Sequence, residues 1–118
     1  MKTVKVTPDN IISVIDVDFD DFHELQKAVD GHFETVSTKT LYETFKMPVI
    51  MLVDEDGIMK QKEVNRLGSY FYDADRHGWP ILGDVVFAIA AGEDIEAPSD
   101  AEALKIFLKM NFSYLKEE

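Results

Sequence analysis

Residues 48–64 read PVIMLVDEDGIMKQKEV, residues 65–78 read NRLGSYFYDADRHG and residues 79–90 read WPILGDVVFAIA. Val49 to Val53 is a strongly β-prone run, and Val85 to Ala90 is the most apolar run in the chain. A short run that is apolar at nearly every position predicts a central strand buried on both faces. Asp54-Glu55-Asp56-Gly57 predicts a tight turn in which Gly57 takes the positive φ of a hairpin or bulge. Ile58 to Val64 is then expected to return as a strand with Lys and Gln on its outer face. Asn65 to Tyr72 reads as a loop with one helical turn, and Asp73 to Gly78 as another turn. The remaining segments read as cover for this sheet.

Upstream, Val4 and Val6 alternate with polar neighbours, the period of a half-buried strand. Pro8-Asp9-Asn10 is turn chemistry, and Ile11 to Val17 reads as the second arm of a hairpin. A helix over 18–30 follows, with Asp18 as N-cap and Asp20, Asp21 and Glu24 at the positive end of its dipole. Phe22, Leu25 and Val29 form its apolar stripe, and Gly31 stands where a left-handed C-cap residue belongs. His32 to Val36 reads as a short strand, and Ser37 to Met47 as either a loop or a helical excursion. Downstream, Gly92 to Pro98 reads as an exposed acidic connection. Ser99 and Glu102 form a capping box for a helix over 99–116. Its apolar rows are Ala103, Phe107, Met110, Tyr114 and Leu104, Leu108, Leu115, with Lys105, Lys109 and Lys116 opposite. Ile106 and Phe112 fall outside both rows, against a loop or on a contact surface. The sum is an α+β domain spanning 1–118: a mainly antiparallel sheet of about five to six strands with two packed helices.

The chain has 118 residues, 23 acidic and 12 basic, for a formal net charge of -11. A domain of this length has a radius of gyration of roughly 13 Å, so its surface potential is negative over much of its area. Such a surface repels phosphates and anionic membranes and is drawn to basic surfaces. Solubility is the plain purpose of that charge. With no cysteine, neither a disulfide framework nor a Cys-based zinc site can form. No apolar run approaches the roughly 20 residues of a bilayer-spanning helix. MKTVKVTPDN carries no apolar signal core, so a soluble, cytoplasmic protein is expected.

The chemistry-bearing patterns are weak. Asp16, Asp18, Asp20 and Asp21 resemble the start of a calcium loop, but the sixth and twelfth positions hold Asp21 and Lys27 instead of Gly and Glu. Helix capping explains those carboxylates better. Asp73, Asp75 and His77 would share one face of a strand and could hold a divalent metal, yet the segment reads as a turn. There is no nucleophile elbow and no phosphate-cradling glycine loop. Neither catalytic residue, metal nor cofactor is therefore expected. Direct nucleic-acid binding is disfavoured, because the mildly basic stretch from Lys60 to Arg66 sits in a strongly negative field.

One ordered set of motifs is more telling: L-Q-x-x-V-x-G-x-F-E-x-V over residues 25–36, V-D-E-x-G over 53–57, Asn65-Arg66, and I-L-G-D-V-V-F over 81–87. The set resembles a domain-of-unknown-function family of short proteins found largely in phages, prophages and plasmids. The resemblance covers about residues 2–92 and leaves the C-terminal helix outside. It implies a mobile genetic element in a bacterial cytoplasm, and no established activity. Asn65-Arg66 and Gly83-Asp84 carry over as family-like positions. In the structural reading Asn65 caps the next turn, Arg66 pairs with a carboxylate such as Asp84, and Gly83 permits a bend. In the functional reading Asn65 and Arg66 line a recognition site.

Charge and resemblance together point to a non-enzymatic interaction protein with a basic protein partner, in its sharpest form an antidefence inhibitor of a nucleic-acid-binding host protein. Asp54, Glu55, Asp56, Asn65, Arg66, Trp79 and Asp84 are the candidate contact residues. Two alternatives stand beside it. One is a small-ligand or nucleotide-sensing module using Asn65, Arg66, Tyr70, Tyr72 and Trp79. The other is a self-associating accessory protein using Ile106, Phe112 and exposed strand edges.

Overall fold

The computed structural model describes residues 1–112. Strands β1 (Lys2–Val6) and β2 (Ile12–Asp16) form the expected hairpin, with Val4 opposite Val14. Asn10 closes its turn at φ 64°, a conformation that Asn tolerates, and donates its N–H to the Thr7 carbonyl at 2.9 Å. Helix α1 (Phe22–Val29) starts later than expected: Asp21, not Asp18, is the N-cap and accepts the His23 N–H. Asp18 instead accepts the Asp20 N–H at 2.9 Å, a local turn that delays the helix. The left-handed residue that closes α1 is Asp30, φ 62°, one place before Gly31. Strand β3 (Phe33–Val36) leads to α2 (Lys39–Phe45), which resolves the ambiguous segment as a helix capped by Thr38 and burying Leu41 and Phe45.

Strand β4 (Val49–Asp54) and strand β5 (Val85–Ala91) are the paired centre of the sheet, with Met51 opposite Phe87. Between them lie α3 (Arg66–Tyr72) and the single turn α4 (Ala74–His77), where the sequence reads as loop and turn. Gly92, φ 64°, sits in the two-residue turn into β6 (Asp94–Glu96), so the acidic connection contains a short strand. Helix α5 (Asp100–Met110) carries the expected Ser99–Glu102 capping box. The six-stranded sheet runs β2-β1-β5-β4-β3, with β6 added to β5, and every strand pairing is antiparallel. The α+β class holds, and among the described residues three short helices join the two that were expected.

One expected strand does not form. Residues 55–61 are turns, Gly57 does not take a positive φ, and Val64 makes only an isolated bridge to Leu82. The reason is visible in the alternation: Ile58, Lys60, Lys62 and Val64 mix apolar and charged side chains on one face, so no clean face exists to bury. Gly57 is needed for closeness instead, since a Cβ there would stand 3.0 Å from the Leu82 carbonyl oxygen.

Both faces of β4 and β5 are covered. Val49, Met51, Val53, Val85 and Phe87 point to the side covered by α2, α3 and α5. Ile50, Leu52, Val86 and Ala88 point to the side covered by α1. Phe45, Phe71 and Phe87 meet at centroid separations of 5.4, 6.1 and 6.0 Å and knit α2, α3 and β5 together. On α5 the buried residues are Ala103, Ile106 and Met110, while Leu104 and Leu108 are exposed. Ile106 is therefore core, contrary to the periodic reading of the sequence. Tyr114, Leu115 and Lys116, assigned to the same helix from sequence, lie outside the described residues.

Candidate binding groove

Three arrangements frame the end of the sheet where β4 finishes. The first is Asp54, whose carboxylate has no exposed surface. Its Oδ2 accepts from Lys60 Nζ at 2.9 Å and pairs with Lys62 Nζ at 2.7 Å, and its Oδ1 accepts the Asp56 N–H at 2.9 Å. Burial pushes this carboxyl up, but the hydrogen bonds from Lys62 and Lys60, the Asp56 amide and the Lys62 charge outweigh it and hold it below the ordinary carboxylate range. The same bond raises Lys60 above its ordinary value. Gly31 makes the pairing sterically feasible: a Cβ there would lie 2.6 Å from Asp54 Oδ2 and 2.7 Å from Lys60 Nζ.

The second is Asn65, which is wholly buried. Its Oδ1 accepts the Gly68 N–H at 2.9 Å, capping α3, and its Nδ2 donates to the carbonyls of Val6 and Gly83, each at 2.9 Å. One amide thus ties β1, α3 and the approach to β5 together. Both Nδ2 hydrogens and the Oδ1 are engaged within the protein.

The third is a groove of about 290 Å³. One wall is the consecutive run Glu34 to Thr38, along the edge of β3 and just past it. Val53, Asp54 and Ile81, all buried, line it as well, and Tyr72, His77 and Trp79 make its aromatic wall. That wall is ordered internally: Tyr72 stacks on His77 at 4.3 Å and 19°, and Trp79 Nε1 donates to the Tyr72 hydroxyl at 3.2 Å. Trp79 nevertheless keeps 58% of its surface exposed. Glu34 and Glu55, both exposed, supply carboxylates to the lining. The groove offers acceptors and aromatic faces beside β3, which among the described residues pairs with β4 alone.

A family model described as a domain of unknown function (DUF3846) matches residues 1–110. The chain belongs to the DUF3846 family. The match runs through α5, so the C-terminal helix is part of the DUF3846 domain and not an addition beyond residue 92. Among curated proteins and among solved structures, nothing matches the chain.

The DUF3846 fold separates the residues that the sequence grouped. Asp54, Glu55 and Trp79 all line the groove, the Asp54 side chain wholly buried. The Asp54 carboxylate is taken up by Lys60 and Lys62, and Asp56 is held to it through its backbone. Asn65 is an internal tie, whereas Arg66 is exposed and lines a separate hollow with Thr40, Tyr70 and Asp73. Asp84 pairs with Lys5 at 3.2 Å, taking the role imagined for Arg66. Gly83 takes φ 87°, the bend expected of it. Asp73, Asp75 and His77 lie in and beside α4, so their alternation no longer places them on one face. Asp73 instead accepts from the Thr40 hydroxyl at 2.7 Å. Glu34 and His77 as groove residues were not legible from sequence, because no motif links residue 34 to residue 77. Only the pairing of β3 with β4, beside the α3–α4 return, brings them together.

Proposed function

We propose that this DUF3846 protein is a non-catalytic binding protein whose acidic end engages a basic surface of a partner protein. The observation that carries this reading is where the topology gathers carboxylates. Because β1 pairs antiparallel with both β2 and β5, the start of β1, the end of β2 and the end of β5 share one end of the sheet. Asp16, Asp18 and Asp20 follow from β2 there, and all three are exposed. Glu93, Asp94 and Glu96 come from the turn into β6 at that same end. Asp100, at the start of α5, joins Asp16 and Asp18 in acting on the Met1 amine. Exposed carboxylates within a Debye length of about 8 Å of one another add their fields, and a basic partner relieves their repulsion.

The state of Asp54 supports the non-catalytic part of the reading: its acceptor atoms are already occupied by two lysines and an amide. A nucleic-acid-binding protein is the partner class whose own surface is built for polyanions. In a phage or plasmid setting, occupying such a surface would make the chain an antidefence inhibitor. The test is binding to a panel of purified basic nucleic-acid-binding proteins across a salt series. Expected are affinities that fall steeply with salt and that collapse in the variant Asp94→Lys, Glu96→Lys, Asp100→Lys. Salt-independent binding, or binding untouched by those reversals, overturns the proposal.

A second reading rests on α5, where Leu104 and Leu108, 54% and 41% exposed, line an apolar hollow with Ala101 and Phe112. That surface favours self-association. Light scattering at high concentration tests it, and a strict monomer removes it.

A further inference from the structure

We propose that the groove beside β3 takes an extended, basic peptide segment of a partner, which adds to the sheet as a strand. This is a second surface, along β3 at the opposite edge of the sheet from β2, and it stands apart from the carboxylates that follow β2 and lie on β6. The strand β3 is terminal: one side of its backbone pairs with β4, and on the other side no strand follows among the described residues. The extended path does not stop at Val36, because Thr38 still has φ -135° and ψ 160°. Residues 34–38 therefore present an edge of about 13–17 Å, the span of about five peptide residues. The groove opens over the face of β3 and β4, lined by residues 34–38 in succession and by Val53, so a peptide paired with the free edge of β3 would send alternate side chains over β3 into it.

The lining also specifies the charge of the occupant. Glu34 and Val36 alternate with Phe33, which packs on the α1 side, so Glu34 stands on the groove side of the sheet. Glu55 lines the same groove beyond the end of β4. In the same groove Trp79 keeps an exposed indole whose N–H is already bonded to Tyr72, leaving its faces for contact. A guanidinium or ammonium group suits both features, by ion pairing with the carboxylates and by cation–π contact with the indole. A phosphate-bearing ligand suits neither. The nearby Asp54 does not compete for the cation, because Lys60 and Lys62 already neutralise it.

Trp79 is the single tryptophan of the chain, so its emission reports on this groove alone. The probe is a blocked peptide of about six alternating Arg and Val residues, titrated into the full chain. Expected is a saturable change in Trp79 emission that is absent with the Glu/Val analogue. N-methylation of alternate amides should weaken binding about tenfold or more, since it removes the strand pairing. The double variant Glu34→Lys, Glu55→Lys should weaken it about tenfold with an unchanged circular dichroism spectrum. The acidic-end variant Asp94→Lys, Glu96→Lys, Asp100→Lys should bind the peptide as the parent does, which separates this proposal from the one above. Four results overturn it. They are no emission change at about millimolar peptide, equal binding of the N-methylated peptide, an equal response to free arginine or a mononucleotide, and loss of binding only in the acidic-end variant.

Discussion

Asn65 and Asp54 are both buried polar residues, and they differ in kind. Asn65 satisfies one N–H and two carbonyls at once. Asn65→Ala removes three buried hydrogen bonds, so urea unfolding should show a loss of about 2–4 kcal/mol. Asn65→Asp should fare no better, because it keeps the cap but aims a carboxylate at the Val6 and Gly83 carbonyls. Asp54 is a charge with its counter-charges attached, and its folded-state value is depressed. Its contribution is therefore present above the unfolded value of about 3.9 and is lost as pH falls through the folded value. The urea midpoint of the parent should drop through that acid window, and Asp54→Asn should be less stable near neutrality but flatter across it. Gly31→Ala should mimic part of this loss, about 1–3 kcal/mol, because its Cβ displaces the carboxylate from the lysines. A Gly31→Ala midpoint equal to the parent would mean that the lysines re-pair at no cost.

At the scale of elements, α5 shows how burial is decided from outside a helix. Residues 103–110 carry apolar side chains at Ala103, Leu104, Ile106, Phe107, Leu108 and Met110, almost all round the cylinder. Such a pattern does not name its own buried face; contact with β1 and β2 does, and it selects Ile106 and Met110. Ile106→Ala should cost about 2–5 kcal/mol. Leu104→Ala should stay within about 0.5 kcal/mol. Equal costs in a denaturant series would refute the assigned face. The segment 55–63 makes the same point for strands. Its β-prone residues form turns in which Lys60 and Lys62 reach back to Asp54 at 2.9 and 2.7 Å, and a mixed-polarity edge offers no clean face to bury in exchange.

For the whole molecule, the net charge of -11 is spread unevenly. At the β4 end Lys5, Lys60 and Lys62 are each paired with aspartates. At the other end the topology gathers the exposed carboxylates of 16–20 and 93–100, with the Met1 amine paired to Asp16 at 2.9 Å. Self-repulsion there should be relieved by screening. Raising salt from about 0.01 M to about 1 M, which shortens the Debye length from about 30 Å to about 3 Å, should therefore raise Tm by a few degrees. Asp94→Asn with Glu96→Gln should blunt that rise. A Tm that falls with salt would show that the paired lysines outweigh the crowded acids.

Much of the plan was written in local chemistry. The apolar runs 49–53 and 85–90, the turn at Pro8-Asp9-Asn10 and the capping box at Ser99 each act over a few residues, so the α+β class and the central strands could be read directly. The choice among near-equal local options could not. Gly57, Asp54 and Lys62 suit a hairpin until the burial of Asp54 claims both lysines. Asn65 looks like a surface contact until Val6 and Gly83 arrive around it. The groove pairs Glu34 with Trp79 only because antiparallel pairing sets β3 beside β4. Local propensity is a short-range energy, whereas burial, charge pairing and grooves depend on groups far apart in the chain, and those meet only when the sheet closes.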